Sequence, residues 1–185
     1  MAEFSTFTLG LGSRAPDFGL PGTDGKDYAL KDFEKSPLLL VVFSCNHCPY
    51  AVAWENRLIE IGRDYASRGV AMVVINPNDA VRYPDDSFER MKDRAREKHF
   101  PYHYLRDDSQ EVAHAYGALV TPHVYLFDRE RRLIYQGTVD DNWKAPHQVT
   151  RRYLREAIEA ALSDQSPPLP TTPVLGCSVK WKPEA

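Results

Sequence analysis

Apolar positions in this chain fall into two unbroken runs and several spaced sets, and the two patterns predict different elements. Leu38-Leu39-Leu40-Val41-Val42-Phe43 and Val70-Ala71-Met72-Val73-Val74-Ile75 are continuous. Such runs read as strands buried on both faces, the kind found in parallel sheets with helices over them. Between them, Trp54, Leu58, Ile61 and Tyr65 recur at helical spacing, with Glu55, Arg57, Glu60 and Arg63 on other faces and Gly69 as the stop. Glu55 reads as the ion-pair partner of a helix neighbour.

The remaining segments follow the same logic. Ala15–Leu20 and Tyr28-Ala29-Leu30 flank the turn-rich Pro21-Gly22-Thr23-Asp24-Gly25, which predicts an N-terminal β-hairpin. Asp86 or Ser87 is placed to cap a helix with Phe88, Met91 and Ala95 on its apolar face. A short strand is expected near Tyr102–Leu105, then a small helix opened by Asp108-Ser109, running through Val112, Ala113 and Tyr116 and stopped by Gly117. Val124–Phe127 and Leu133–Tyr135 flank the charged turn 128–132 as an antiparallel hairpin, and a last helix is expected over roughly His147–Leu162. Beyond it, 166–173 is Pro-rich and extended, without a helix or strand of its own. The predicted organisation is one α/β domain, 1–165, with a central mixed β-sheet and helices on both faces. A Pro-rich C-terminal tail, 166–185, is expected to pack on it through Val174, Leu175, Val179 and Trp181.

Composition narrows the function classes. The 185 residues carry a net charge of −3 with no basic stripe, so nucleic acid is not an expected partner. The longest apolar run is too short to span a bilayer, and Met1–Ser5 has neither a basic nor a long apolar region of a secretory signal, so no membrane is expected and the predicted address is cytoplasmic. Three cysteines are an odd count, unlike a structural disulfide framework. Paired cysteines in a reducing compartment read as catalytic or metal-binding.

The pair is Cys45-Asn46-His47-Cys48, at the junction between the first apolar run and the helix that starts near Pro49. A helix N-terminus points unpaired N–H groups and the positive end of its dipole at such a residue, which stabilises a thiolate, the nucleophile of thiol–disulfide exchange. The expectation is that Cys45, at the exposed start of the helix, attacks and that Cys48 resolves the mixed disulfide. His47 between them tunes the potential. Zinc would need two further ligands at sensible spacing, and only Cys177 and scattered histidines are on offer, so neither a metal nor a cofactor is expected. Val120-Thr121-Pro122-His123 is the second signal. A proline there marks a bend or a strand start. Cys177 follows the Pro-rich segment and is either an inert thiol or a third redox thiol.

The order β–C-x-x-C–α–β–α–Thr-Pro–β–β–α resembles the thioredoxin fold, in which the Thr-Pro bond is cis, faces the C-x-x-C pair and offers the preceding residue's backbone to an extended substrate. That resemblance implies a substrate groove at Thr121 and Pro122. Ala15-Pro16-Asp17-Phe18, Thr23-Asp24-Gly25 and the run to Cys48-Pro49-Tyr50 are similar to the peroxiredoxin-like branch, the redoxin or alkyl hydroperoxide reductase and thiol-specific antioxidant superfamily. Asp140-Asp141-Asn142 and Gly176-Cys177-Ser178-Val179-Lys180-Trp181-Lys182 resemble an uncharacterised subgroup of it. The chain departs from the peroxiredoxin Pro-x-x-x-Thr/Ser-x-x-Cys pattern. Counted back from Cys48, Cys45 and Val41 hold the hydroxyl and proline positions; counted back from Cys45, Val42 and Leu38 do. The buried acid six residues before the first cysteine of thioredoxins is Leu39 here. The resulting expectation is a thiol–disulfide oxidoreductase that takes a protein or small-molecule disulfide as substrate and is served by an external thiol reductant. A peroxiredoxin-like thiol peroxidase and a non-enzymatic redox-sensing module are the alternatives.

Overall fold

The computed structural model describes residues 2–4 and 9–183. Its elements run β1 (Ala2–Phe4), β2 (Gly19–Pro21), β3 (Asp27–Ala29), β4 (Leu38–Phe43), α1 (Pro49–Ala66), β5 (Val70–Asn76), α2 (Phe88–Lys98), β6 (His103–Arg106), α3 (Glu111–Tyr116), β7 (Val120–Thr121), β8 (His123–Phe127), β9 (Leu133–Gly137), α4 (Tyr153–Leu162) and β10 (Val174–Ser178). The two continuous apolar runs are β4 and β5, paired in parallel at the centre of a five-stranded sheet ordered β6-β5-β4-β8-β9. β6 joins β5 in parallel, whereas β8 and β9 add antiparallel, so the sheet is mixed.

Side chains that alternate along these strands feed two cores. Leu38, Leu40 and Val42 face α1, α2 and α4 through Trp54, Leu58, Met91, Leu154 and Ile158. Leu39, Val41 and Phe43 face the other way, onto α3 and the N-terminal segment through Tyr116, Phe18 and Phe33. Continuous runs are needed because both faces are dry. Helices therefore lie on both faces, as expected. Glu55 is buried on α1 and clamped by Arg94 of α2 at 2.5 and 3.1 Å, a pairing that ties the two helices together.

Three boundaries differ from the sequence expectation. The N-terminal hairpin is present, but its first strand starts at Gly19 instead of Ala15. The last helix starts at Tyr153 instead of His147. Asp141 accepts from the backbone N–H groups of Thr150 and Arg151 at 3.0 and 3.1 Å, which holds that stretch in the loop, and Pro146–Gln148 forms a separate 3-10 turn. The first turn of the small helix is held by two side chains: the Ser109 hydroxyl accepts from the Glu111 N–H at 3.3 Å, and Asp107, not Asp108, accepts from the Ala113 N–H at 2.8 Å.

The segment after α4 is not an appendage. Pro170 and Thr172 exchange backbone hydrogen bonds with Gln136 of β9, and the Thr172 hydroxyl meets Tyr135 and the Thr138 N–H. Gly137 permits this approach. Its φ is +149°, and a Cβ there would lie 2.0 Å from the Thr172 hydroxyl oxygen. The apolar Val174 and Leu175 then enter β10, the centre of a second sheet, β1-β10-β7, so the tail is longer in regular structure than its composition suggested. Trp181 is half-buried, stacked on His114 at 4.0 Å. Residues 184 and 185 lie outside the described residues. Among the described residues, no helix is long and apolar enough to cross a membrane.

Candidate active site

β4 ends at Phe43, and its continuation delivers the four residues 45–48 to the rim of the sheet. Pro49 is the first residue of α1, where the N–H it lacks has no intrahelical use. That makes Cys48 the N-cap. The sequence expectation put Cys45 at the exposed start of the helix. Instead Cys48 stands there, and both residues are buried, 4 % exposed for Cys45 and 1 % for Cys48. Together with Ala51 they form a small cluster of their own, against which Tyr50 and Cys177 pack. The three cysteines are free thiols in this structure.

Thr121 connects the two sulfurs of the pair. Its hydroxyl lies 3.3 Å from Cys45 Sγ, and its carbonyl oxygen lies 3.1 Å from Cys48 Sγ. The Thr121–Pro122 bond is cis, as the resemblance implied. The backbone edge at Thr121 is occupied by the chain itself: β10 pairs antiparallel with β7, Cys177 opposite Thr121 and Ser178 opposite Val120.

The electrostatics separate the two thiols. Cys48 is held well below the ordinary thiol range, chiefly because the Cys45 thiol donates to it. The Cys177 side chain and the backbone N–H groups of Ala51 and Cys177 add to this, against the cost of burial. The Thr121 carbonyl favours the protonated form of Cys48, but it is one acceptor facing several donors, two of them N–H groups that cannot accept. Cys45 is pushed up, first by its role as donor to Cys48, then by burial and the charge of Asp86. The surroundings therefore favour the charged form at Cys48 over Cys45.

Asp86, singled out from the sequence only as a helix cap, is the hub beneath the loop. It is fully buried. Its Oδ1 accepts from the Asn46 N–H at 2.7 Å and from Asn76 Nδ2 at 3.1 Å; its Oδ2 accepts from Asn78 Nδ2 at 2.9 Å and lies 2.6 Å from His47 Nδ1. Asn46, which offered no chemistry in the sequence, also donates to the Asp85 carbonyl and accepts from the Tyr104 hydroxyl. His47 is thus turned toward Asp86 and stacked on Tyr83, with ring centroids 5.3 Å apart. Cys45, His47 and Asp86 bring potential metal-ligand atoms within 4.8 Å of one another. The four donors around Asp86 account for its carboxylate without an ion.

Two further groups shape the surroundings. Arg57 donates to both Asp140 oxygens, at 2.7 and 2.6 Å, and to the carbonyls of Asn142 and Trp143. This holds Trp143 against Tyr50, ring centroids 4.2 Å apart, next to the thiol cluster. His123, directly after the cis proline, is fully buried, and burial pushes its pKa down to about 3, so it is neutral at physiological pH.

The AhpC/TSA family model matches residues 11–136 of this chain. A curated relative, the thiol-disulfide oxidoreductase ResA of Geobacillus thermodenitrificans, is 26 % identical over 135 residues, covering 71 % of this chain and 72 % of its own. The solved structure of an uncharacterised conserved protein from Geobacillus kaustophilus superposes with a TM-score of 0.93 at 40 % identity, over 100 % of this chain and 99 % of that one. The thioredoxin domain of a thiol-disulfide oxidoreductase from Bacteroides vulgatus superposes with a TM-score of 0.60 at 21 % identity, over 71 % of this chain and 90 % of that one, and shares the fold. With its paired thiols at the end of a central strand, its mixed sheet and this family match, the chain belongs to the AhpC/TSA family, an oxidoreductase on a thioredoxin-like fold.

Proposed function

We propose that this protein is a thiol–disulfide oxidoreductase that cycles between a Cys45/Cys48 dithiol and the corresponding disulfide. The observation that carries this reading is the division of labour in the buried pair: Cys48 at the N-cap of α1, supported as a thiolate, with Cys45 as its thiol donor. A thiolate beside a thiol is the reduced state from which a disulfide substrate is attacked and then released by the second sulfur. In this scheme Cys48 takes the nucleophilic role first expected of Cys45, and Cys45 resolves. Thr121 positions both sulfurs, Pro122 shapes the wall beside them, and His47, oriented by Asp86, tunes the potential from the Cys45 side. A protein or small-molecule disulfide is the substrate, an external thiol is the reductant, and the compartment is the cytoplasm. The catalytic unit, 1–165, is completed by the tail, 166–185.

The peroxidase alternative lacks the family's hydroxyl and proline before the cysteine, since Cys45 and Val41 stand at those positions relative to Cys48. A paired assay separates the two. The pre-reduced protein, freed of excess reductant so that its own dithiol supplies the two electrons, is tested for reduction of oxidised glutathione and for consumption of hydrogen peroxide, with Cys45→Ser and Cys48→Ser alongside. Disulfide reduction that needs both cysteines, with a couple at roughly −270 to −120 mV, is the expected result. Peroxide consumption that survives Cys45→Ser, without any disulfide reduction by the wild type, would sink the reading.

A further inference from the structure

The third thiol sits where it can exchange with the pair. Cys177 packs against the Cys45–Cys48 cluster, and both its side chain and its N–H support the Cys48 sulfur. Of the three cysteines, it is the only one not buried. Its placement is built in. Gly176 lets β10 lie against β7 so closely that a Cβ there would come within 2.4 Å of the Thr121 carbonyl oxygen. On the far side, the Lys180 N–H donates to Asn78 Oδ1 at 2.9 Å, the Lys180 carbonyl accepts from the Asp79 N–H at 2.8 Å and from Gln110 Nε2 at 2.9 Å, and the Lys182 N–H donates to Gln110 Oε1 at 2.8 Å. These bonds hold 176–182 as a fixed wall. An extended polypeptide binds by adding a strand to a free sheet edge, and the edge beside these sulfurs, at Val120–Thr121, is already paired to β10.

We infer that Cys177 is the sulfur through which low-molecular-weight thiols exchange electrons with the buried Cys45–Cys48 couple, β10 having closed the adjoining edge to extended polypeptides. The inference rests on the thiol–disulfide reading above and adds to it the entry point and the substrate class. The steps balance. In the oxidised protein, the Cys177 sulfur attacks Cys48 Sγ; the Cys48–Cys177 bond forms, the Cys45–Cys48 bond breaks, and the proton given up by Cys177 goes to Cys45. A small thiol then attacks Cys177 Sγ as its thiolate, having released its proton, and Cys48 leaves as thiolate. A second molecule of the same thiol attacks the mixed disulfide, frees Cys177 as a thiol and departs as the small-molecule disulfide. Two small thiols have lost two electrons and the pair has gained them. Cys177 is pushed up to about 11 in the reduced protein by burial and by the Cys48 thiolate beside it. The second of those causes is absent while Cys48 is in a disulfide, so Cys177 is a better nucleophile in the oxidised protein, where it is needed. The low thiol pKa of Cys48 makes it the better leaving group in the second step.

The test uses the full-length protein and glutathione as the probe. Oxidised wild type, Cys177→Ala and Cys177→Ser are mixed with reduced glutathione, quenched with acid and mapped by mass spectrometry. The serine variant keeps the size of the side chain and so separates a lost sulfur from lost packing. Expected are a glutathione adduct on Cys177 in the wild type, reduction at least tenfold slower in both variants, and a Cys48–Cys177 disulfide on mild oxidation of Cys45→Ser. Insulin disulfides should be reduced at least tenfold more slowly than oxidised glutathione. Equal glutathione rates in wild type and both variants, or adducts found on Cys45 or Cys48, would remove the role of Cys177 while leaving the two-cysteine couple standing. Insulin reduced as fast as oxidised glutathione would remove the substrate class. A wild type that never forms a Cys45–Cys48 disulfide would overturn the couple and this inference together.

Discussion

Cys45→Ala tests whether the Cys45 thiol is the main support of the Cys48 thiolate. The substitution removes one S–H donor and leaves the N–H groups of Ala51 and Cys177 and the Cys177 side chain in place. A hydrogen bond to a charged acceptor contributes about 1.5–3 kcal/mol. At 1.36 kcal/mol per pKa unit, its loss raises the Cys48 pKa by about one to two units. Cys45→Ser keeps a hydroxyl donor at the same position, so its shift is smaller. Thiolate ultraviolet absorbance of the reduced protein, followed through an acid titration, measures both. Cys48→Ala supplies the control. It should abolish the thiolate signal at neutral pH, because Cys45 is left buried beside the charged Asp86. A titration unmoved by Cys45→Ala would refute the donor assignment. A low-pH thiolate that persists in Cys48→Ala would assign the charge to Cys45 and reverse the roles.

Other consequences are open to direct measurement. Between Cys48, lowered to about 4, and Cys45, raised above the ordinary thiol range, reduction of the disulfide takes up one proton for two electrons. The midpoint potential should therefore fall by about 30 mV per pH unit from about pH 5 to 8; a slope of about 60 mV means that both sulfurs are protonated in the reduced state. By linkage, the depressed Cys48 pKa stabilises the reduced protein at pH above the unfolded thiol value, and that stabilisation is lost as pH falls through about 4. Reduced wild type should thus gain stability relative to Cys48→Ala as pH rises toward 9, and parallel urea midpoints would contradict this. Asp86→Asn turns an amide N–H₂ toward fixed donors and should cost about 1–3 kcal/mol in urea unfolding; an unchanged midpoint would mean that the hub is not structural. Gly137→Ala forces a Cβ into Thr172 and should cost about 1–3 kcal/mol, with Thr172 displaced from β9 in amide exchange.

The fold was readable where both faces of an element are dry. β4 has no polar position and β5 has only Asn76, at its carboxyl end, and α1 buries Trp54, Leu58, Ile61 and Tyr65 at the expected spacing. Boundaries were less readable wherever a side chain competed with the helix for its N–H groups. Asp141 takes those of Thr150 and Arg151, and that capture has no periodic signature. β10 was hidden for a different reason. Its pairing partners, β1 and β7, are three and two residues long and each more than fifty residues away, so nothing local in Val174–Ser178 announces a ladder.

The site shows the same split between local and distant information. That Cys45 and Cys48 share a junction is local and was legible; that Asp86 lies beneath them is not, because it depends on how the loop after β5 folds back. The polar Asn76-Pro77-Asn78-Asp79 stretch at the carboxyl end of a buried strand was the available hint: side chains that leave a dry sheet in that number need partners, and three of the four donors to Asp86 come from Asn46, Asn76 and Asn78. Which of the two cysteines adjoins the helix was also legible, in Pro49. Proline is suited to the first helical position, which makes the residue before it the N-cap. With Pro49 in place, Cys48 meets the ends of the first-turn N–H groups, and Cys45 lies three residues outside the helix, where burial and Asp86 oppose its charge. The sulfur that is sequentially second is electrostatically first. The difference between the two sulfurs follows first from the Cys45 thiol donating to Cys48, and then from the N–H groups around Cys48 and the burial and Asp86 charge at Cys45.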